Sequence, residues 1–166
     1  GILGGLEKVR RALQEQGIDI TIEAAAEYYL DHELERLVRE KRVLTFGGNM
    51  LLFELPFISE PVVLLSVVFE MQTAGFRPVL AHPERYQYFW ASKDAIDEIR
   101  DLRERGTKLQ VNIGSFAGRH SKQSATIARK LAKEGLIDFL GTDMHRAGQG
   151  DTLAKAMFEI RELREL

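Results

Sequence analysis

The sequence predicts an α/β fold with mostly parallel strands, on three observations. Segments whose apolar residues recur at helical spacing alternate with short apolar, β-branched runs along the whole chain. Glycines stand where helices should stop, at positions 17, 75, 106 and 135. No linker, repeat or low-complexity tract interrupts the 166 residues. A single domain of that length buries roughly two-thirds of the surface its unfolded chain exposes, so residues 1–166 are read as one domain.

Each element has its own grounds. Leu6, Val9 and Leu13 form an apolar stripe that Gly17 closes, which predicts a helix over 5–16. "IDITIEAAAEYY" (18–29) reads as a strand, and 31–41 as a helix with Asp31 as N-cap. "RVLTFGGNMLLFELPF" (42–57) gives two strand-like pieces about Gly47 and Gly48. A helix over 59–74 has Pro61 in its first turn. "RPVLAH" (77–82) is a strand, 92–105 a helix, "KLQVNIG" (108–114) a strand and 121–134 a helix. "IDFLGTDMH" (137–145) is the last strand, before a closing helix over 151–165.

Composition excludes several functions. The 23 Lys and Arg against 25 Asp and Glu give a formal net charge of -2 with both signs scattered, so no basic stripe points to nucleic acid or to an anionic membrane. There is no cysteine, which removes thiolate metal sites and thiol nucleophiles and suits a reducing compartment. No apolar run approaches the ~20 residues of a membrane span, and the N-terminus lacks the order of a signal segment. A cytoplasmic protein acting on a small soluble partner or substrate is the expectation. The chain begins at Gly1 and enters a helix pattern almost at once, which suggests a processed or shortened chain.

In parallel α/β folds, functional groups gather at the carboxyl ends of strands. Here four apolar runs finish in such groups: one in Glu27 and Tyr28, one in Glu54, one in His82, Glu84 and Arg85, and one in Asp143 and His145. Any one of these alone would read as a helix cap or a surface charge; four at the same kind of position favour a site. Carboxylates and imidazoles without thiolate suit hard or borderline divalent cations such as Mn, Fe or Zn. Asp143 and His145, two apart on an extended segment, would point the same way. A guanidinium such as Arg85 can hold two phosphate oxygens in a planar fork, or form a salt bridge with Glu84 or another acid. Arg119 is a weaker candidate for anion binding; His32 and His120 read as surface residues.

The motifs "AAAEYYLD", "LLFELPF", "LAHPERY", "VNIGSFAG" and "IDFLGTDMH", in this order and spacing, resemble the polymerase and histidinol phosphatase (PHP) superfamily. The likeness is strongest to its manganese-dependent protein-tyrosine phosphatases of bacterial capsule and exopolysaccharide synthesis, and covers the chain from about residue 5. It implies a distorted TIM-like (β/α) barrel with a cluster of divalent metal ions, Mn foremost, at the strand ends. Glu27, Glu54, His82, Asp143 and His145 would be metal ligands, Glu27 as a bridging carboxylate, and Arg85 would bind the substrate phosphate. It further implies removal of phosphate from tyrosine in a partner protein, a bacterial tyrosine autokinase of polysaccharide export; the expected mechanism, from the chemistry of bound divalent ions, is metal-hydroxide attack on phosphorus.

The departures shape further expectations. The H-x-H motif that opens such sequences is absent, and there are only four histidines. The chain is therefore expected to lack the barrel's first strand-helix units. Ser115 stands where some relatives carry histidine, and is not carried over as a ligand. Two alternatives remain open: a catalytically incomplete fragment acting as a binding or assembly module, whose exposed sheet edge could pair with another chain, including its own copy; and a PHP phosphatase for a small ester such as histidinol phosphate.

Overall fold

The structure, a computed structural model, describes residues 1–151, 153, 154, 157 and 158. Five strands form one all-parallel sheet in sequential order: β1 (Glu27–Tyr29), β2 (Met50–Glu54), β3 (Arg77–Ala81), β4 (Lys108–Asn112) and β5 (Phe139–Gly141). Between them run α2 (His32–Arg39), α3 (Leu64–Thr73), α4 (Gln87–Ala91), α5 (Ala95–Glu104), α6 (Ile113–Phe116) and α7 (Lys122–Lys133), after an N-terminal α1 (Ile2–Glu15). With the strands parallel and in sequential order, the usual right-handed crossover would put the connecting helices on one face, and residues of α2, α3, α5 and α7 do share one core. This winding is that of a barrel wall, whereas a doubly wound sheet reverses its strand order.

The register shows which side chains meet the helices. Phe53 of β2, Leu80 of β3 and Leu109 of β4 form one buried row, with Leu51 on the same face of β2, and this face packs into the main core with α2, α3, α5 and α7. The opposite alternation carries Glu27, Leu52, Val79 and Lys108. On that inner face Phe46, from the turn before β2, meets Phe139 of β5 edge-on at 5.9 Å. The sheet is thus folded over its own inner surface, with its carboxyl ends gathered.

Several boundaries differ from the sequence-based expectation for identifiable reasons. The strand expected over 18–29 shrinks to Glu27–Tyr29, because β1 is the edge strand and pairs only with β2; the first backbone bond from this segment to the next is Ala26 N to Leu44 O. Of the two strand pieces about Gly47 and Gly48, only β2 joins the sheet, and Phe46 makes a single antiparallel bridge to Met50. The helix expected from Ser59 begins at Leu64, the first of its residues to enter the core, after the exposed Val62 and Val63. Conversely, α1 starts earlier than expected, at Ile2, and buries none of its residues, so its apolar stripe does not face the core. The last strand stops at Gly141. Of the closing helix, residues 151, 153, 154, 157 and 158 are helical and the rest lies outside the described residues.

Candidate metal centre

Three strands bring Glu27, Glu54 and His82 together. Glu27 opens β1, two residues before Tyr29, the register partner of Glu54, so both glutamates share the inner face at neighbouring levels. His82 follows β3 on the alternation of Leu80, which faces the helices; here the backbone turns left-handed, with φ 36°. That conformation is uncommon and unfavourable for a side-chain-bearing residue, and it redirects the ring to the carboxylates. Nε2 of His82 lies 3.0 Å from Glu27 Oε1 and 3.5 Å from Glu54 Oε2. One potential ligand atom from each of the three residues lies within 4.8 Å of the others.

The shell around His82 is packed and directional. Its ring is 3% exposed and stacks on Phe57 with a centroid separation of 5.6 Å. Burial opposes a charge on this ring, but hydrogen bonding to Glu27 and Glu54 outweighs burial and the nearby Arg85, raising its pKa to about 9. Behind it, Tyr86 donates its hydroxyl to Ala81 O at 2.9 Å and accepts from Leu55 N at 2.9 Å, joining the chain just before His82 to the chain just after Glu54.

A second group stands beside the first. Arg85 Nη1 donates to Asp143 Oδ2 at 2.8 Å, and its guanidinium lies 4.9 Å from the centroid of Phe57. Asn112, at the end of β4, donates from Nδ2 to the same Asp143 oxygen at 2.9 Å. Glu84 is fully buried, accepting from Asn112 N at 3.1 Å and from Ser115 Oγ at 2.6 Å; burial raises its pKa despite those bonds. Asp143 is itself left-handed, with φ 47°. His145, largely exposed, sets Nδ1 3.1 Å from Asp143 O. Both groups border one cavity of about 400 Å³, room enough for a phosphorylated side chain by the usual scale of ligand sites.

Residues 2–160 match the model of the capsular polysaccharide synthesis family CpsB/CapC. The chain belongs to this family. It is 26% identical over 140 residues to tyrosine-protein phosphatase YwqE of Bacillus subtilis (strain 168), covering 84% of this chain and 54% of that protein. To the putative tyrosine-protein phosphatase CapC of Staphylococcus aureus it is 27% identical over 117 residues, 70% of this chain and 45% of that protein. Among solved structures it superposes with a TM-score of 0.79 and 24% identity on one from a study of YwqE from B. subtilis and CpsB from Streptococcus pneumoniae, described as unique metal-dependent tyrosine phosphatases. That match covers 94% of this chain and 63% of the other, and it shows a shared fold. The chain spans about half the length of the two curated relatives.

Within this CpsB/CapC chain, the six residues singled out from sequence all border the cavity, but in two groups. Glu27, Glu54 and His82 cluster as potential ligands; Asp143 lies with Arg85 and Asn112, and His145 stands at the exposed rim. The extended segment expected to aim Asp143 and His145 the same way is replaced by a turn, because β5 ends at Gly141 and Asp143 is left-handed. The salt-bridge partner of Arg85 is Asp143, while Glu84 is buried away from it. Arg119 and His120 border the cavity too. His120 is exposed on that wall, as its surface reading from sequence expected; partial desolvation, then the positive charge of Arg85, lowers its pKa. Arg119, a weaker anion-binding candidate from sequence, was the one signal for that wall. Asn112 gave no such signal, since an Asn ending a strand commonly reads as a turn residue.

Proposed function

We propose that this protein is a metal-dependent protein-tyrosine phosphatase. What supports this most is the convergence of Glu27, Glu54 and His82 from three strands into one cavity with Arg85. Two carboxylates and an imidazole, with ligand atoms this close and no thiolate, fit a hard or borderline divalent cation, with manganese our first choice. In this reading Glu27, Glu54 and His82 hold the cation, and Asp143 and His145 extend the ligand set toward the rim. Such ions, when bound, supply Lewis acidity toward phosphoryl oxygens and a lowered pKa for water.

The protein's own groups do the rest. Arg85, on the short helical turn after His82, offers its remaining N–H donors to the phosphoryl oxygens, where charge builds up during transfer. Asn112 and Arg85 fix the Asp143 carboxylate from two sides. Phe57 packs against both the His82 ring and the Arg85 guanidinium, and so sets their spacing. The substrate is a phosphotyrosine protein; in a family of capsular polysaccharide synthesis, we place a bacterial tyrosine autokinase in that role. The test is metal analysis of the full-length protein together with its turnover of a phosphotyrosine peptide, p-nitrophenyl phosphate and histidinol phosphate, with and without added manganese. Metal-stimulated turnover of the peptide is expected; absence of bound metal and of turnover would sink the proposal, and preference for histidinol phosphate would move it to a small ester.

A further inference from the structure

The cavity is bordered by three arginines, Arg85, Arg119 and Arg146, and their surroundings differ. Arg85 faces Asp143 at 2.8 Å, so its charge is already offset. Arg146 stands exposed at the rim. Arg119 is half-buried and, among the described residues, its guanidinium has neither a hydrogen-bond partner nor an ion pair. A half-buried cation facing a cavity with no acid of its own is poised for an anion that arrives with the ligand.

Its placement is built by the backbone. Gly118 takes a left-handed turn with φ 71°, which folds the chain back so that Arg119 N donates to Gly114 O at 3.1 Å. The side chain then lies against Gly114: a Cβ on that residue would sit 3.0 Å from Arg119 Cδ and 3.8 Å from Nη1. The missing side chain at position 114 thus leaves the channel in which the arginine stem runs. A stem held in this way loses less freedom when the fork engages a ligand. Arg85, Arg119 and His120 line the same cavity, so the two guanidiniums border a common space.

We propose that Arg119 is a second phosphoryl-binding residue of the cavity, gripping phosphate oxygens alongside Arg85. This rests on the phosphatase reading for its substrate, but the phosphate contact is separable from it. A dianionic phosphoryl group has more oxygens than one fork can hold, and only Arg119 brings a half-buried positive charge that no carboxylate among the described residues offsets.

Inorganic phosphate binding, followed by titration calorimetry on full-length protein with manganese present, tests the contact directly. Arg119→Met should weaken phosphate roughly ten- to hundredfold, the scale of a lost charge-assisted fork, while circular dichroism stays that of the parent. Arg119→Lys should fall between the two. Gly114→Ala, which keeps the charge but crowds the stem, should weaken phosphate by a smaller factor. In turnover, Arg119→Met should raise KM for p-nitrophenyl phosphate and for phosphotyrosine peptide alike. Parent-like phosphate binding by Arg119→Met overturns the proposal, as does a parent that binds no phosphate. A rise in KM for the peptide alone also overturns it, assigning Arg119 to an acidic residue beside the phosphotyrosine. If the parent shows no metal-dependent turnover but Arg119→Met still weakens phosphate, the phosphatase reading falls and the Arg119 contact stands.

Discussion

The Tyr86 hydroxyl, fully buried, donates to Ala81 O and accepts from Leu55 N, both at 2.9 Å. Those backbone atoms adjoin His82 and Glu54, so one hydroxyl fixes the spacing of two proposed ligands. Tyr86→Phe keeps the ring but leaves the buried Leu55 N without its partner, and should cost about 1–3 kcal/mol of stability in urea unfolding. A parent-like midpoint would show that water or a shifted strand satisfies the amide. His82→Ala acts on the site itself: it should reduce phosphatase turnover to background while retaining the far-UV spectrum, at about 1–3 kcal/mol of stability. Arg85→Ala should chiefly raise KM, since its guanidinium is assigned to the phosphoryl group. Parent-like kinetics in either variant would remove that residue from the site. All three of these side chains sit in "AHPERY", where the polar residues after an apolar run were legible in sequence. What that run does not disclose is the left-handed turn at His82, because the conformation is imposed by the strands around it rather than by the local residue type.

Helix ends and strand ends carry the next layer of stability. Asp31 caps α2 through Oδ1, accepting from Glu33 N at 2.9 Å and Leu34 N at 3.0 Å, so Asp31→Ala should lower stability by about 1 kcal/mol in chemical unfolding. Asp138, just before β5, accepts from Arg103 of α5, from Lys108 of β4 and from Leu109 N. Burial would raise its pKa, but the Arg103 and Lys108 bonds prevail and hold it below the usual carboxylate value. A depressed native pKa stabilises the fold above the unfolded value, about 3.9, and that contribution fades as pH falls through the native value. Asp138→Asn should therefore cost about 1 kcal/mol at pH 7, its partners being partly exposed and screened, and the gap to the parent should narrow below about pH 4. A gap independent of pH would point to packing instead of charge. The Asp31 cap was readable from sequence because capping is local, four residues of chain deciding it. The start of α3 was not: Pro61 suits a first helical turn by local rules, yet the chain waits until Leu64, whose side chain is the first of that helix to enter the core.

At the scale of the molecule, alternation of helical and β-branched segments was enough to anticipate a parallel α/β fold. The sequential strand order was not in the periodicity, since order depends on which edges meet in space. That order joins positions 27, 54 and 82, far apart in the chain, at one end of the sheet. The unfolded chain has no preformed cluster of these three residues, so a divalent cation held there should bind the folded state almost alone, and its binding energy becomes folding energy. At a free metal concentration a hundredfold above Kd the gain is about 2.7 kcal/mol. For a chain of this size, that corresponds to a rise in Tm of roughly 5–10 °C. Thermal melts of the purified chain in chelator and in manganese should differ by that amount, and the difference should vanish in His82→Ala while a monovalent salt of equal ionic strength has no effect. Superimposable melts would mean that the Glu27–Glu54–His82 cluster of this chain does not hold a cation, and the metal would then have to be held by residues other than these three.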